Sequence, residues 1–350
     1  MARYYDPDSV GVPDGLTWAT AWTTQAAAEA DCTLARGPCY VRKSGGGSIV
    51  LTATWTFATQ AGAEANNQLR WIGCNAAGTV DGTRVVIDGN GGAYHMLTIS
   101  QNYRSWENFA FTGMGATKYG AYVTGHYQTW QNCDFYQGSN AAYGLYGPGY
   151  HYNLYIDCRF RNFTANYYPI QTADACFVRC DFLHCVGGPQ VVGSYGSCAI
   201  DCVFHGMTGP TAAAWVSQNV SAFLFGCVFD SNLAGAAIQW PRSVVVACRF
   251  TNNSGLYSVS GAAYTAYAIG CTFRNNFLDA GTMVVRLMDG PTLTSDGYVN
   301  AAAHDFRLVD TDPARSVQIG QYIPTLAYRP SGLGIKERIW PQFNAPIIGA

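Results

Sequence analysis

Charge is what this chain has least of. Asp, Glu, Lys and Arg make up 12% of its 350 residues, against about 25% in an ordinary globular protein. Lysine is nearly missing: Lys43, Lys118 and Lys336 are the only three. With a net charge of −2 there is no basic field to hold nucleic acid and no polybasic patch to hold a membrane surface. Long apolar runs are missing too. The apolar stretches are short and broken by Gly, Asn or Asp, so no transmembrane span is predicted. The start, Met1-Ala2-Arg3-Tyr4-Tyr5-Asp6-Pro7-Asp8, lacks the apolar core of a secretion signal. The expectation is a product made and kept in the cytoplasm unless released by lysis or trimmed. No loop gathers several acids as a calcium site does, and no metal or cofactor is expected.

What is present in excess is aromatic. The chain has 23 Tyr and 9 Trp. A surface poor in charge and rich in Tyr and Trp is expected to be covered by partner chains, by sugars, or by both.

One column of residues repeats. Cys-x-Phe recurs at Cys133/Phe135, Cys158/Phe160, Cys180/Phe182, Cys202/Phe204, Cys227/Phe229, Cys248/Phe250 and Cys271/Phe273, with Phe-to-Phe steps of 25, 22, 22, 25, 21 and 23. Phe109/Phe111 and Val85/Ile87 extend the frame upstream at steps of 24 and 24. A period in this range marks a solenoid, and the Leu-x-x-Leu-x-Leu frame of a leucine-rich repeat is absent. With the Cys as position zero, −2 is mainly apolar and +2 is Phe throughout, so −2, 0 and +2 are read as inward positions of a strand. Asn232, Asn253 and Asn276 at Phe+3, with Asn252 and Asn275 at Phe+2, suit a corner repeated in every coil.

The predicted fold is all-β, a single-stranded right-handed parallel β-helix of about nine coils, roughly 40 Å long at strand spacing. Its ends should differ from its middle, because bare terminal coils expose apolar surface and strand edges. Residues 1–48 are read as an N-terminal cap carrying a short Ala-rich helix between Thr23 and Cys32, 49–289 as the β-helix, and 290–350 as a C-terminal cap and extended docking tail.

Thirteen Cys would fit a disulfide scaffold, but stacked equivalent side chains lie about 4.8 Å apart, wider than the roughly 3.8 Å that disulfide Cβ atoms prefer. The seven column Cys are therefore read as a reduced core ladder. Cys176-x3-Cys180 and Cys198-x3-Cys202 imitate a zinc site. Residues four apart in a strand are separated by about 13 Å, so two core columns are the better account.

Asp14-Gly15-Leu16-Thr17-Trp18-Ala19-Thr20-Ala21-Trp22, the Ala-rich segment and Cys39-Tyr40-Val41-Arg42 resemble the opening of many right-handed parallel β-helix proteins, the superfamily of pectate-lyase-like and phage tailspike proteins. His304-Asp305-Phe306-Arg307-Leu308 resembles their closing segment. The resemblance covers nearly the whole chain. It implies the fold, not an activity, because the superfamily holds lyases, hydrolases, adhesins and silent virion proteins.

The candidate site lies beside the Cys. Position −1 places Asp157, Arg179 and Asp201 in one column; position +1 places Asp134, Arg159 and Asp181 in another. As a catalytic reading, Asp157, Asp181 and Asp201 form a carboxylate cluster with Asp157 and Asp181 about 8 Å apart, a separation suited to inverting glycoside hydrolysis. Arg159 and Arg179 would hold an acidic sugar, and His184 and His205 could add a base. As a structural reading, the signs alternate down both columns because like charges stacked at strand spacing repel. Trp130, Tyr155 and Phe177 at position −3 should face outward, yet they are apolar. Either a corner reverses their direction, or they form a subunit contact, or they are a platform for sugar.

The leading functional expectation is a non-enzymatic structural protein of a bacteriophage virion, a decoration subunit or tail appendage. It would be located in the particle rather than a membrane. Its partners would be itself, as a homotrimer by resemblance to tailspikes, and other virion proteins through the tail from about Thr292 to Ala350. Bacterial surface polysaccharide is a further candidate partner. The alternatives are a polysaccharide lyase or glycoside hydrolase, and a carbohydrate-binding adhesin.

Overall fold

A computed structural model describes residues 2–308 apart from 33–36, 59–67, 137–142, 165–167, 193–195, 210–213, 219–221, 234–235, 240–242, 255–256, 260–265, 277–283, 288–297 and 301–304. The chain winds as a parallel β-helix. Each coil lays down three short strands, and each strand pairs in parallel with its counterpart one coil on. Among the described residues, sheet I has 12 strands from Arg3–Tyr5 to Val284–Leu287. Sheet II has 10, from Ser48–Val50 to Thr272–Arg274, and sheet III has 9, from Trp55–Phe57 to Tyr257–Val259.

The Cys-x-Phe frame is the register of sheet II. Phe135, Phe160, Phe182, Phe204, Phe229, Phe250 and Phe273 are successive Cα partners. Their rings stack at 4.6–5.1 Å with planes within 8° of parallel. The seven column Cys are buried and reduced. Several thiols donate to a backbone carbonyl of the preceding coil, as Cys158 Sγ does to Trp130 O at 3.4 Å and Cys202 Sγ to Phe177 O at 3.5 Å. Burial pushes the Cys133, Cys180 and Cys227 thiols up, while bonds from the neighbouring thiols pull Cys158, Cys202 and Cys248 down, and all seven are enclosed in the core, away from any reaction partner.

Each strand of sheet II from Arg159–Arg161 to Thr272–Arg274 is bracketed by two left-handed residues, and Asp134–Tyr136 is preceded by one. Before these strands, at position −1, stand Asn132, Asp157, Arg179, Asp201, Gly226, Ala247 and Gly270, with φ of 50–65°. After them, at Phe+2, stand Asn162, His184, Gly206, Ser231, Asn252 and Asn275, with φ of 51–67°. A left-handed residue breaks the alternation of a strand, and this corrects the expectation for position −3. Trp130, Tyr155 and Phe177 are 0% exposed and belong to the core, so they are neither a glycan platform nor a subunit contact. Positions −4 and −2 face outward instead. Leu154, Ile156, Cys176, Val178 and Cys198 form a separate apolar cluster there, with Phe225 and Tyr267 exposed further along.

Cys176 and Cys198 are therefore not core residues. They are joined as a disulfide on the outer face, with Cα atoms 4.7 Å apart, within the range a disulfide accepts. The Cβ spacing expected of stacked side chains does not forbid the bond. Inside the turn after sheet II, Asn232, Asn253 and Asn276 stack as a ladder, the first two buried and the last half-buried. Asn232 and Asn253 each donate to the next amide oxygen, at 2.9 and 2.8 Å, and all three amides donate to a carbonyl of the preceding coil.

At the start, the helix Gln25–Asp31 is capped by Thr24 Oγ1, which accepts from Ala27 N at 3.3 Å. It is pinned by Glu29, whose carboxylate accepts from buried Arg104 at 2.5 and 3.1 Å. Arg3–Tyr5 and Cys39–Val41 on either side already belong to sheet I. Near the other end, Tyr298–Asn300 pairs antiparallel with Asp305–Leu308. The tail beyond Leu308 lies outside the described residues. Among these, no helix is long and apolar enough to cross a membrane.

Candidate functional site

The sequence-predicted carboxylates and guanidinium groups come together at the corner before sheet II and along its outer face. Asp157 and Arg179 occupy equivalent left-handed corners one coil apart. Arg179 Nε and Nη2 donate to Asp157 Oδ1 and Oδ2 at 2.7 and 2.9 Å, a bidentate fork. Arg159 and Asp181 are Cα partners, and Arg159 Nε donates to Asp181 Oδ2 at 3.2 Å. Asp134 is taken by a residue the sequence did not single out. Arg161, two positions beyond Arg159, donates to both its oxygens at 3.1 and 2.7 Å and lies 4.9 Å over the Tyr136 ring.

Asp181 and Asp201 differ electrostatically from an ordinary surface carboxylate. Burial pushes the Asp181 carboxyl up to about 6, outweighing the opposing pull of Arg159. Burial pushes Asp201 up to about 7, with the neighbouring Cys202 adding to it and Arg179 opposing it. These two groups can therefore gain and lose a proton near neutral pH. Arg179 gives its fork to Asp157, and Arg159 is engaged with Asp181.

His205 sits opposite Leu183, two residues along the strand from Asp181, on the same outer face. Its Nδ1 lies 2.9 Å from Asp230 Oδ2. Asp230 also accepts from Ser231 Oγ at 2.9 Å, Thr251 Oγ1 at 2.5 Å and Asn252 Nδ2 at 3.3 Å. Burial alone would raise Asp230, but the bonds from His205, Thr251 and Ser231 prevail and hold its carboxyl low. The His184 ring meets that of His205 edge-on at 5.1 Å. Beside them Leu183, Val203 and Val228 form a buried apolar cluster on this outer face.

A second group escaped the sequence reading. Tyr119, Tyr122, Tyr143 and Tyr146 crowd the outer face of sheet III, with Tyr119 and Tyr146 stacked at 4.6 Å. At the next corner His126-Tyr127 repeats as His151-Tyr152, 25 residues on. That spacing equals one coil and was the available signal. The Cys-x-Phe frame overshadows it, because that frame runs through seven coils and this dipeptide through two.

No family model matches the sequence, and no curated protein is significantly similar to it. Solved structures do resemble its fold. A rhamnogalacturonan lyase superposes with a TM-score of 0.63 at 10% identity, over 92% of this chain and 100% of that one. Pectate lyase Pel9A superposes with a TM-score of 0.54 at 16% identity, over 86% of this chain and 83% of that one. A Geobacillus virus E2 protein, ORF18, reaches a TM-score of only 0.33 at 13% identity, over 71% of this chain and 54% of that one, an overlap too slight to bear on fold or function. The chain thus has a parallel β-helix fold like that of these two lyases, and at these identities the likeness speaks to fold alone.

Proposed function

We propose that the chain is a structural, non-enzymatic subunit of a bacteriophage particle, a β-helix appendage or decoration protein acting through protein–protein contacts. The observation that carries this reading is the cross-coil pairing of Asp157 with Arg179 and of Asp181 with Arg159. The guanidinium groups that would grip an acidic sugar already hold the carboxylates that would attack it. Exposed pairs of this kind contribute about 0–1 kcal/mol each and keep like charges apart in the stack. Low charge and a stiff coiled body suit a particle component.

Self-association, as a homotrimer, is proposed through the outer face of sheet I rather than through position −3. Phe225 is 38% exposed and Tyr267 40% exposed. The two columns they belong to run from Leu154 to Ile269 without a charged residue, through Ile200, Val244 and Val246. Sedimentation of the purified chain is expected to give a species of about three chains, and Phe225→Glu is expected to dissociate it. A stable, soluble wild-type monomer would overturn the assembly claim.

A polysaccharide-degrading enzyme is the second reading. It is favoured by Asp181 and Asp201, whose carboxyls burial pushes up to about 6 and about 7, and by the lyases that share the fold. Incubation with a panel of acidic and neutral bacterial polysaccharides separates the two. No released product is expected. Product release that disappears in Asp181→Asn would sink the structural reading.

A further inference from the structure

Three consecutive coils pass from sheet III into sheet I through the dipeptides Asn102-Tyr103, His126-Tyr127 and His151-Tyr152. The second residue of each is left-handed, with φ of 58, 59 and 63°. A bulky side chain in that region carries strain of about 1 kcal/mol or more. The corner does not require tyrosine. In the next two coils Asp174 and Gly196 make the same turn, at φ of 40 and 125°. Three strained tyrosines in a row thus ask for a reason beyond folding.

Their rings stack at 4.6 and 5.0 Å, with planes 11 and 12° apart. The two imidazoles beside them stack at 5.6 Å and 10°. All five side chains are half-buried. Because the ring faces cover one another, the ring edges make up much of what they offer to solvent.

Hydrogen bonding fixes the state of those edges. Asn102 Oδ1 accepts from His126 N at 2.7 Å, and His126 Nδ1 accepts from His151 N at 3.1 Å. A ring nitrogen that accepts from a backbone N–H carries no proton, so the hydrogen of His126 is on Nε2 and the ring is neutral. Burial, and then the neighbouring His151, keep its pKa below the ordinary histidine value. His151 is oriented from the other side: its Nδ1 bonds Asp174 Oδ2, a carboxylate that is 0% exposed and also accepts from Gly196 N at 3.2 Å. The corner therefore presents phenol edges in register in three coils, with an imidazole beside the phenol in two of them and Asn102 in the first.

We infer that this corner, built from His126, His151, Tyr103, Tyr127 and Tyr152, binds a neutral polysaccharide laid along the axis of the β-helix. The step between coils, about 4.8 Å, is close to the length of one pyranose unit, so successive sugars meet a phenol at each coil and an imidazole beside it at two. Hydroxyls are matched by His126 Nε2, which donates, and by phenol groups that both donate and accept. An acidic sugar would want a cation, and Arg104 beside Tyr103 is buried against Glu29. The inference is independent of the structural reading. Turnover of a polymer would sink that reading and leave this one standing, and an absence of binding would sink this one alone.

The test uses the purified full chain on an array of immobilised neutral and uronic-acid glycans. At least one neutral glycan is expected to be retained, with no preference for the uronic acids. Tyr127→Phe and Tyr152→Phe keep the stack and remove only a hydroxyl, and each should weaken binding about threefold. His151→Ala should weaken it tenfold or more. Should His151→Ala fail to fold, as judged by thermal unfolding, the two Phe variants decide. No neutral glycan retained, retention confined to uronic acids, or affinities unchanged in both Phe variants would each overturn the inference.

Discussion

Asp201 is where folding and titration pull against each other. Its carboxyl is held at about 7 when folded, against about 3.9 in an unfolded chain. The native state therefore binds the proton more tightly than the unfolded state. Stability should be greatest below pH 4 with respect to this group and fall as pH rises towards 7. Asp181, at about 6, acts in the same direction. Asp201→Asn is therefore expected to stabilise the protein at pH 8 by about 1–3 kcal/mol, since each tenfold gain in proton affinity on folding is worth about 1.4 kcal/mol before screening. It should change little at pH 4. Urea unfolding at the two pH values checks this, and equal effects at both would show that Asp201 is not held protonated. At this scale the sequence was informative about partners. The alternation Asp134, Arg159, Asp181 announced ion pairing, although Arg161 rather than Arg159 took Asp134. It was not informative about direction. Trp130, Tyr155 and Phe177 face inward because of the φ of the residue at position −1, and in those three coils that residue is Asn, Asp or Arg.

At the scale of the element, the corner decides more than the strand. The strands of sheet II from Asp134–Tyr136 on are three residues long, so the left-handed residues beside them determine which side chains enter the core. Two of the seven residues at position −1 are Gly, and one, Ala247, has a Cβ but no polar side chain to bond its own turn. Ala247→Gly should relieve the left-handed strain, a gain of about 0.5–1 kcal/mol after the added unfolded-state entropy of glycine. A lower thermal midpoint would mean that the methyl group packs usefully. The register of sheet II was legible because a Phe column cannot slip without leaving the core. The Asn ladder was legible as a corner for the same reason. The disulfide between Cys176 and Cys198 was not, because it lies in a column whose outward direction depends on the corner. Intact-mass measurement before and after reduction and alkylation should report one bonded pair and eleven thiols among the thirteen Cys.

At the scale of the whole molecule, a low count of charges and a repeated apolar column were enough to foretell a rod of stacked coils. They carried no information on what the rod holds. The outer surface differs from one side to another. Ion pairs line the corner before sheet II, apolar columns cover much of sheet I, and tyrosine and histidine crowd the turn between sheets III and I. Each of these surfaces is a column and so extends along the rod. The Phe register has a final consequence for length. Equivalent residues recur at whole-coil intervals, as Cys180 and Cys202 do 22 residues apart, and each coil bonds only to its neighbours in a sheet. Excising residues 181–202 would join Cys180 to Val203, position for position, and shorten the body by about 4.8 Å. Such a variant should still unfold cooperatively, and small-angle scattering should register the difference in extent. The molecule is in this sense a ruler graduated in coils, whose reach can be altered by whole divisions without redrawing the scale.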